Sequence, residues 1–192
     1  MQKKIQVLVL ITVLLAAASV QGALPDLKGY TQAVSEYFKA DADQVQEVAS
    51  YLPRTDELPV AYMVAMKAGV DPVVVAEKRY DGQKWQEILQ QYGLGSDLFR
   101  MEVRGFVPSS VYQPILDKFP DDQPAAWKTA PLTDRDILNM ANLKFISDHY
   151  GYSMYRVMAM RDKGRSFPQI QTEAWAVAQG PQGKQKTATA GF

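Results

Sequence analysis

Residues 69–88 read GVDPVVVAEKRYDGQKWQEI, and residues 151–170, 82 positions further on, read GYSMYRVMAMRDKGRSFPQI. Set in register, Gly69 meets Gly151, Val75 meets Val157, Arg79 meets Arg161, Gly82 meets Gly164, Trp85 meets Phe167 and Ile88 meets Ile170. Upstream, Met63 and Val64 meet Phe145 and Ile146. Repetition at a fixed offset points to architecture, because a unit used twice must bury the same face twice. In the first stretch an apolar helix ends at Gly69, a residue that takes the left-handed conformation after a helix at little cost. Asp71 then caps the next helix, with Pro72 in its first turn. That helix runs to about Tyr80 and Gly82 breaks it. Trp85 and Ile88, three apart, share a face of a third helix. In the second stretch Ser153 takes the capping place of Asp71.

The turn recurs beyond these two places. Residues 92–99, YGLGSDLF, and residues 38–45, FKADADQV, have the same outline of an aromatic, a turn residue, a small or acidic cap and an apolar residue. The latter lacks the glycine. Each reads as the junction of a helix-turn-helix pair crossing at a steep angle. Strand signals are scarce, since the β-branched run at Val73, Val74 and Val75 lies between a capping Asp71-Pro72 and the charged Glu77-Lys78-Arg79. The expected fold is all-α, a duplicated short-helix module of helix-turn-helix type with orthogonally packed helices.

The first residues speak to address. Lys3 and Lys4 precede an uncharged apolar run at residues 5–20, with small residues around Gly22 and Ala23, the order of a secretory signal peptide. Cleavage after Gly22 fits best, with Ala18 and Ser19 as other positions and an uncleaved N-terminal anchor as the alternative. A periplasmic or secreted location follows. Removing the two leader lysines from the 21 basic residues leaves 19 against 21 acidic ones, a net charge of −2. Such a chain lacks the basic footprint that phosphate contacts need. With no cysteine, disulfides, thiolate metal sites, a cysteine nucleophile and a lipidated cysteine are excluded.

The expected organisation is a signal peptide at 1–22, one helical module at 23–99, a proline-rich connector at 100–133, a second module at 134–179 and a disordered tail at 180–192. The connector carries Gly105, Pro108, Pro114, Pro120, Pro124 and Pro131 and admits only short helices, around residues 111–119 and 124–128. The tail has no periodic apolar face. After the leader, no segment is suited to spanning a membrane.

Residues 56–99 contain a Leu-Pro-Val opening, a Gly-x-x-Trp-x-x-Ile core and a Tyr-Gly-Leu turn. This stretch resembles a pattern of small exported proteobacterial proteins, a structural module from which no functional residue carries over. The turns are also similar to helix-turn-helix units of DNA-binding proteins. A recognition helix would present basic side chains, for which Lys78, Arg79, Arg156, Arg161 and Lys163 are at hand.

Chemistry has few handles. His149 is the only histidine, and its neighbours Ser147 and Asp148 point in other directions on a helix, so the trio is no triad. Its counterpart Lys67 points to an exposed helix end. Paired acids, Asp121 with Asp122, Asp134 with Asp136, and Asp56 with Glu57, besides Glu87, could serve a glycosidase-like hydrolase. Helix capping explains several of them without catalysis. Asp41 and Asp43 lack the rest of a calcium loop, Gly93-Leu94-Gly95 lacks the third glycine of a dinucleotide fingerprint, and residues 180–184, GPQGK, are too short for a phosphate loop. Trp85 and Phe167 read as core. Arg79 and Arg161 either bond the last carbonyls of their helices or form two equivalent anion contacts, and they are the candidate binding residues. No catalytic residue, metal or cofactor is expected. The function expected is protein binding or scaffolding in the cell envelope, with another envelope protein as partner. The alternatives are an envelope-polymer hydrolase using paired acids and nucleic-acid binding outside the cytoplasm.

Overall fold

A computed structural model of the chain describes residues 26–103 and 107–179. The leader at 1–22, the first residues of the leading module and the tail at 180–192 lie outside the described residues. All regular structure within them is helical. In chain order come α1 (Leu27–Phe38), α2 (Ala42–Tyr51), α3 (Leu58–Ala68), α4 (Pro72–Tyr80), α5 (Trp85–Gln91), α6 (Gln113–Leu116), α7 (Asp134–Tyr150), α8 (Met154–Asp162) and α9 (Phe167–Gln179). Short 3-10 turns lie at Thr55–Glu57, Ser96–Phe99 and Pro124–Thr129. No helix of the described residues is long and apolar enough to cross a membrane.

The turns explain the punctuation. In six of them an amide two or three residues past the helix bonds back five residues: Ala40 to Ser35, Val70 to Ala65, Gln83 to Lys78, Leu94 to Leu89, Tyr152 to Ser147 and Arg165 to Met160, at 2.9 to 3.2 Å. This bond closes a helix end at which the residue just before the donating amide has positive φ. Five of those residues are glycines, at φ 59 to 85°, and the sixth is Lys39 at 54°. The missing glycine of the 38–45 turn is therefore replaced by a lysine held in the left-handed region. Asp71 caps α4 by accepting from the Val73 amide at 2.9 Å. Ser153, expected to do the same for α8, makes no side-chain cap bond; its carbonyl alone starts the helix, accepting from Arg156 and Val157.

The helices meet in one core that runs from Tyr30 in α1 to Ala174 in α9. At its centre are α3 and α7, which pack on each other. Helix α7 is buried without a break from Ile137 to Leu143, and a helix buried on all sides belongs in the interior. Its Asn142 is a polar node there, fully buried. The Nδ2 group donates to the Asp56 carbonyl at 2.8 Å and the Leu138 carbonyl at 2.9 Å, while Oδ1 accepts from the Tyr30 hydroxyl. One side chain thus ties α1, the turn before α3 and α7 together.

The proline-rich stretch is more than a connector. Its short helix α6 and 3-10 turn fall where the sequence allows helix, but Val107, Tyr112, Ile115, Phe119, Ala130 and Leu132 enter the common core. Tyr112 donates from its hydroxyl to the Asn139 carbonyl at 3.3 Å. Asp162, at the end of α8, accepts from Ser109, Ser110 and the Val111 amide. These bonds fasten the stretch to the C-terminal helices.

Candidate functional site

Arg79 and Arg161 occupy corresponding places with different partners. Each guanidinium reaches past the end of its helix: Arg79 Nη1 donates to the Gln83 carbonyl at 2.9 Å, and Arg161 Nη1 to the Arg165 carbonyl. Each also lies over an aromatic ring, Arg79 at 5.4 Å from the Trp85 centroid and Arg161 at 4.4 Å from that of Phe167. Arg79 Nε then meets Glu57 Oε2 at 2.6 Å, whereas Arg161 Nη2 meets Asn139 Oδ1 at 3.3 Å. Glu57 and Asn139 are themselves 82 positions apart.

The first arrangement is a closed ionic network. Asp134, at the start of α7, puts Oδ2 2.9 Å from Arg79 Nη1 and accepts the Trp85 amide on Oδ1 at 2.9 Å. The Trp85 indole N–H donates to Glu57 Oε2 at 3.1 Å. Burial works against the Arg79 cation, but Glu57 and then Asp134 outweigh it and hold its pKa above the usual arginine value. For Arg161 burial dominates and pushes the pKa down, with Tyr112 and Asp56 only partly offsetting it. Its Nε is buried without a hydrogen-bond partner. Among the described residues neither guanidinium bonds one of the last carbonyls of its own helix; each bonds a carbonyl in the turn that follows, and Arg79 finds its anions inside its own chain.

Trp85 and Phe167 are fully buried, as core residues. With Arg79 and Arg161 turned inward, Lys78, Arg156 and Lys163 remain of the five basic positions considered for a recognition helix. The acids are also engaged. Asp136 accepts from Lys118 at 2.8 Å and from the Thr133 amide at 2.8 Å. Burial alone would raise its pKa, yet the Lys118 and Thr133 bonds prevail and lower it. Asp56 pairs with Arg54 at 2.7 Å, and Glu87 caps α5 through the Lys84 amide at 2.8 Å. A surface cleft of about 590 Å³ gathers Glu102, Asp117 and Asp121 beside Arg100. Glu102 and Asp121 have side chains 81% and 94% exposed, so they lack the burial that turns a carboxyl into a general acid. Among the described residues no three His, Cys, Asp or Glu side chains converge to hold a metal.

His149 departs from expectation. Its side chain is only 18% exposed, because α1 covers the end of α7. The ring stacks on Phe145 at 6.0 Å and meets Tyr37 and Tyr150 edge-on, and Nε2 lies 3.4 Å from Glu36 Oε2. Burial lowers its pKa, against the opposing pull of Glu36. Asp148 faces another way, accepting from Tyr37 and Lys144.

The apolar surface that sequence reasoning missed lies on the outer side of α3. A groove of about 510 Å³ is lined by Tyr37, Phe38, Met63, Met66 and Leu98 and edged by Lys67 and Lys144. Met66 is 67% exposed. The signal in the sequence was Met63 and Met66 at a spacing of three, followed by Lys67, in a helix otherwise wholly apolar. No protein-family model, curated protein or solved structure matches this chain.

Proposed function

We propose that this chain is an exported cell-envelope protein that works as a helical protein-binding or scaffolding module, built from two copies of one short-helix unit and performing no catalytic step. The duplication is supported by α4 and α8 spanning 72–80 and 154–162, by α5 and α9 starting at Trp85 and Phe167, and by the matched bonds of Arg79 and Arg161. The export reading rests on the lysine-apolar-small order of residues 1–23.

The observation that carries the binding reading is the groove on α3. Its floor holds two methionines, whose unbranched thioethers adapt to a partner's shape. Lys67 makes no ion pair among the described residues, and Lys144 pairs only with Asp148. An apolar floor with a basic edge fits an amphipathic helix of another envelope protein, its apolar face in the groove and acidic residues along its flanks. Methionine-rich surfaces of this kind bind through packing, with the charges setting orientation.

The test is a photo-reactive residue placed at Met66 and, as control, at Tyr155 in the envelope of a living Gram-negative host. A partner cross-linked at position 66 alone, through an acidic amphipathic helix, then bound as a purified protein and lost with Met66→Asp, supports the reading. Cross-links equal at both positions, or a purified pair indifferent to Met66→Asp, overturn it. N-terminal sequencing of the exported protein should begin at Ala23.

A further inference from the structure

The floor of the α3 groove has a reactivity besides its packing. The chain carries no cysteine, so thioethers are the side chains that peroxides oxidise most readily in it. Their surroundings differ widely. Met140, Met158 and Met160 are buried in the common core. Met63, Met101 and Met154 are half-buried against it. Met66 alone among the described methionines is open, at 67%. A peroxide has to reach the sulfur from water, so exposure sets the order of attack.

The fold does not ask for a methionine at this place. At the offset of 82, Met66 meets Asp148, a charged residue at the same point of α7. For the groove the residue matters more. Tyr37, Phe38, Met63 and Leu98 are half-buried and packed on the core, so Met66 supplies the part of the apolar lining that stands free. The charged edge is Lys67 and Lys144, and no carboxylate of the described residues lines the groove.

Oxidation changes that lining in one step. A lone pair of Met66 Sδ attacks one oxygen of a hydroperoxide, and the S–O bond forms as the O–O bond breaks. The departing hydroxide or alkoxide takes the proton of the transferred hydroxyl and leaves as water or an alcohol. Sulfur gives up two electrons and the peroxide takes them. The product is a polar sulfoxide. An apolar surface can cover its oxygen only by stripping away water without replacing the hydrogen bond.

We propose that Met66 is an oxidation site through which hydroperoxides control the α3 groove: it becomes the sulfoxide before any other described methionine, and the sulfoxide closes the groove to apolar partners. The order of oxidation stands on exposure alone, whereas the control it exerts rests on the groove being the docking surface proposed above.

Protein purified from the envelope, treated with hydrogen peroxide and digested with trypsin, provides the test. Residues 55–67 leave as one peptide that holds both Met63 and Met66, so fragmentation reads the two side by side. Met66 sulfoxide should form several-fold faster than Met63 sulfoxide, with Met140 and Met158 intact and the circular dichroism spectrum unchanged. Binding of anilinonaphthalene sulfonate, an apolar ring system with one anionic group that matches the floor and the lysine edge, is then followed by fluorescence. It should weaken at least about fivefold on oxidation, and likewise in unoxidised Met66→Asp. Met66→Leu should bind the probe and keep it after peroxide. Probe binding indifferent to Met66→Asp removes the groove as an apolar docking surface and the proposed control with it. Binding lost in Met66→Asp but retained by the sulfoxide leaves the groove standing and overturns the control. Met63 oxidised as fast as Met66, or probe lost by Met66→Leu after peroxide, overturns the proposal as well.

Discussion

The substitution of methionine for Arg79 and for Arg161 should have unequal consequences, although the two side chains hold corresponding places. Methionine retains most of the apolar stem and removes the charge. At Arg79 it strands Glu57, whose side chain is 5% exposed and whose carboxylate keeps only the Trp85 indole N–H. Removing one member of a buried ion pair costs about 3–5 kcal/mol, because the other charge stays desolvated. At Arg161 the lost partners are the neutral Asn139 amide and a backbone carbonyl. Leaving the Asn139 oxygen unpaired costs about 1–3 kcal/mol. Release of a buried guanidinium with an unpartnered Nε and no carboxylate in contact offsets that loss, so the net should be within about 1 kcal/mol of zero. A domain of this size shifts its Tm by about 2–4 °C per kcal/mol, giving a fall of roughly 6–20 °C for Arg79→Met and a few degrees at most for Arg161→Met. Urea unfolding followed by circular dichroism gives the free energies. Adding Glu57→Gln to Arg79→Met removes the stranded charge and should restore at least half of the loss, a coupling that a double-mutant cycle reads directly. Equal losses at the two arginines, or no recovery in the double variant, would refute the idea that a desolvated carboxylate is what Arg79 holds in place.

Trp85→Ala and Phe167→Ala should each cost about 3–5 kcal/mol in the same unfolding assay, as truncation of fully buried aromatics does. Lys39→Gly should stabilise the protein by roughly 0.5–1 kcal/mol, since the left-handed conformation strains a side-chain-bearing residue and glycine's greater chain entropy offsets only part of that relief. For His149 the folded pKa lies below the unfolded value of 6.5. Its contribution is therefore constant above that pH and declines as pH falls from about 6.5 toward the folded pKa, where the unfolded chain takes up the proton first. A Tm profile from pH 8 to 5 should show this decline, and His149→Phe should flatten that part of it.

Local features were the legible ones. The glycines at 69, 82, 93, 151 and 164 announced the helix ends, Asp71-Pro72 announced the start of α4, and the matched Trp85 and Phe167 announced buried positions. Each depends on a few neighbouring residues and on backbone sterics. What escaped depends on who packs against whom. Arg79 could be placed at a helix end, but Glu57 and Asp134 lie 22 and 55 positions away from it in the chain. His149 was read from its own helix, while its burial comes from Tyr37 and Glu36 of α1. Tyr112 and Ile115 were hidden among prolines, where no period marks an inward face. Met66 was part of an apolar run, and only the way α3 lies against α7 leaves it outside.

The central place of α7 also bears on the order in which the molecule can form. Synthesis runs from the N-terminus, so α1 to α5 emerge before residue 134 exists. Until then Tyr30 has no Asn142, Asp56 has no amide at its carbonyl, and Arg79 lacks one of its two acids. The early helices can form their turns, but the interior they are shaped for arrives late. The half-made chain exposes apolar surface throughout that interval, which leaves it open to non-native contacts. The common core can therefore close only after the seventh helix has been made.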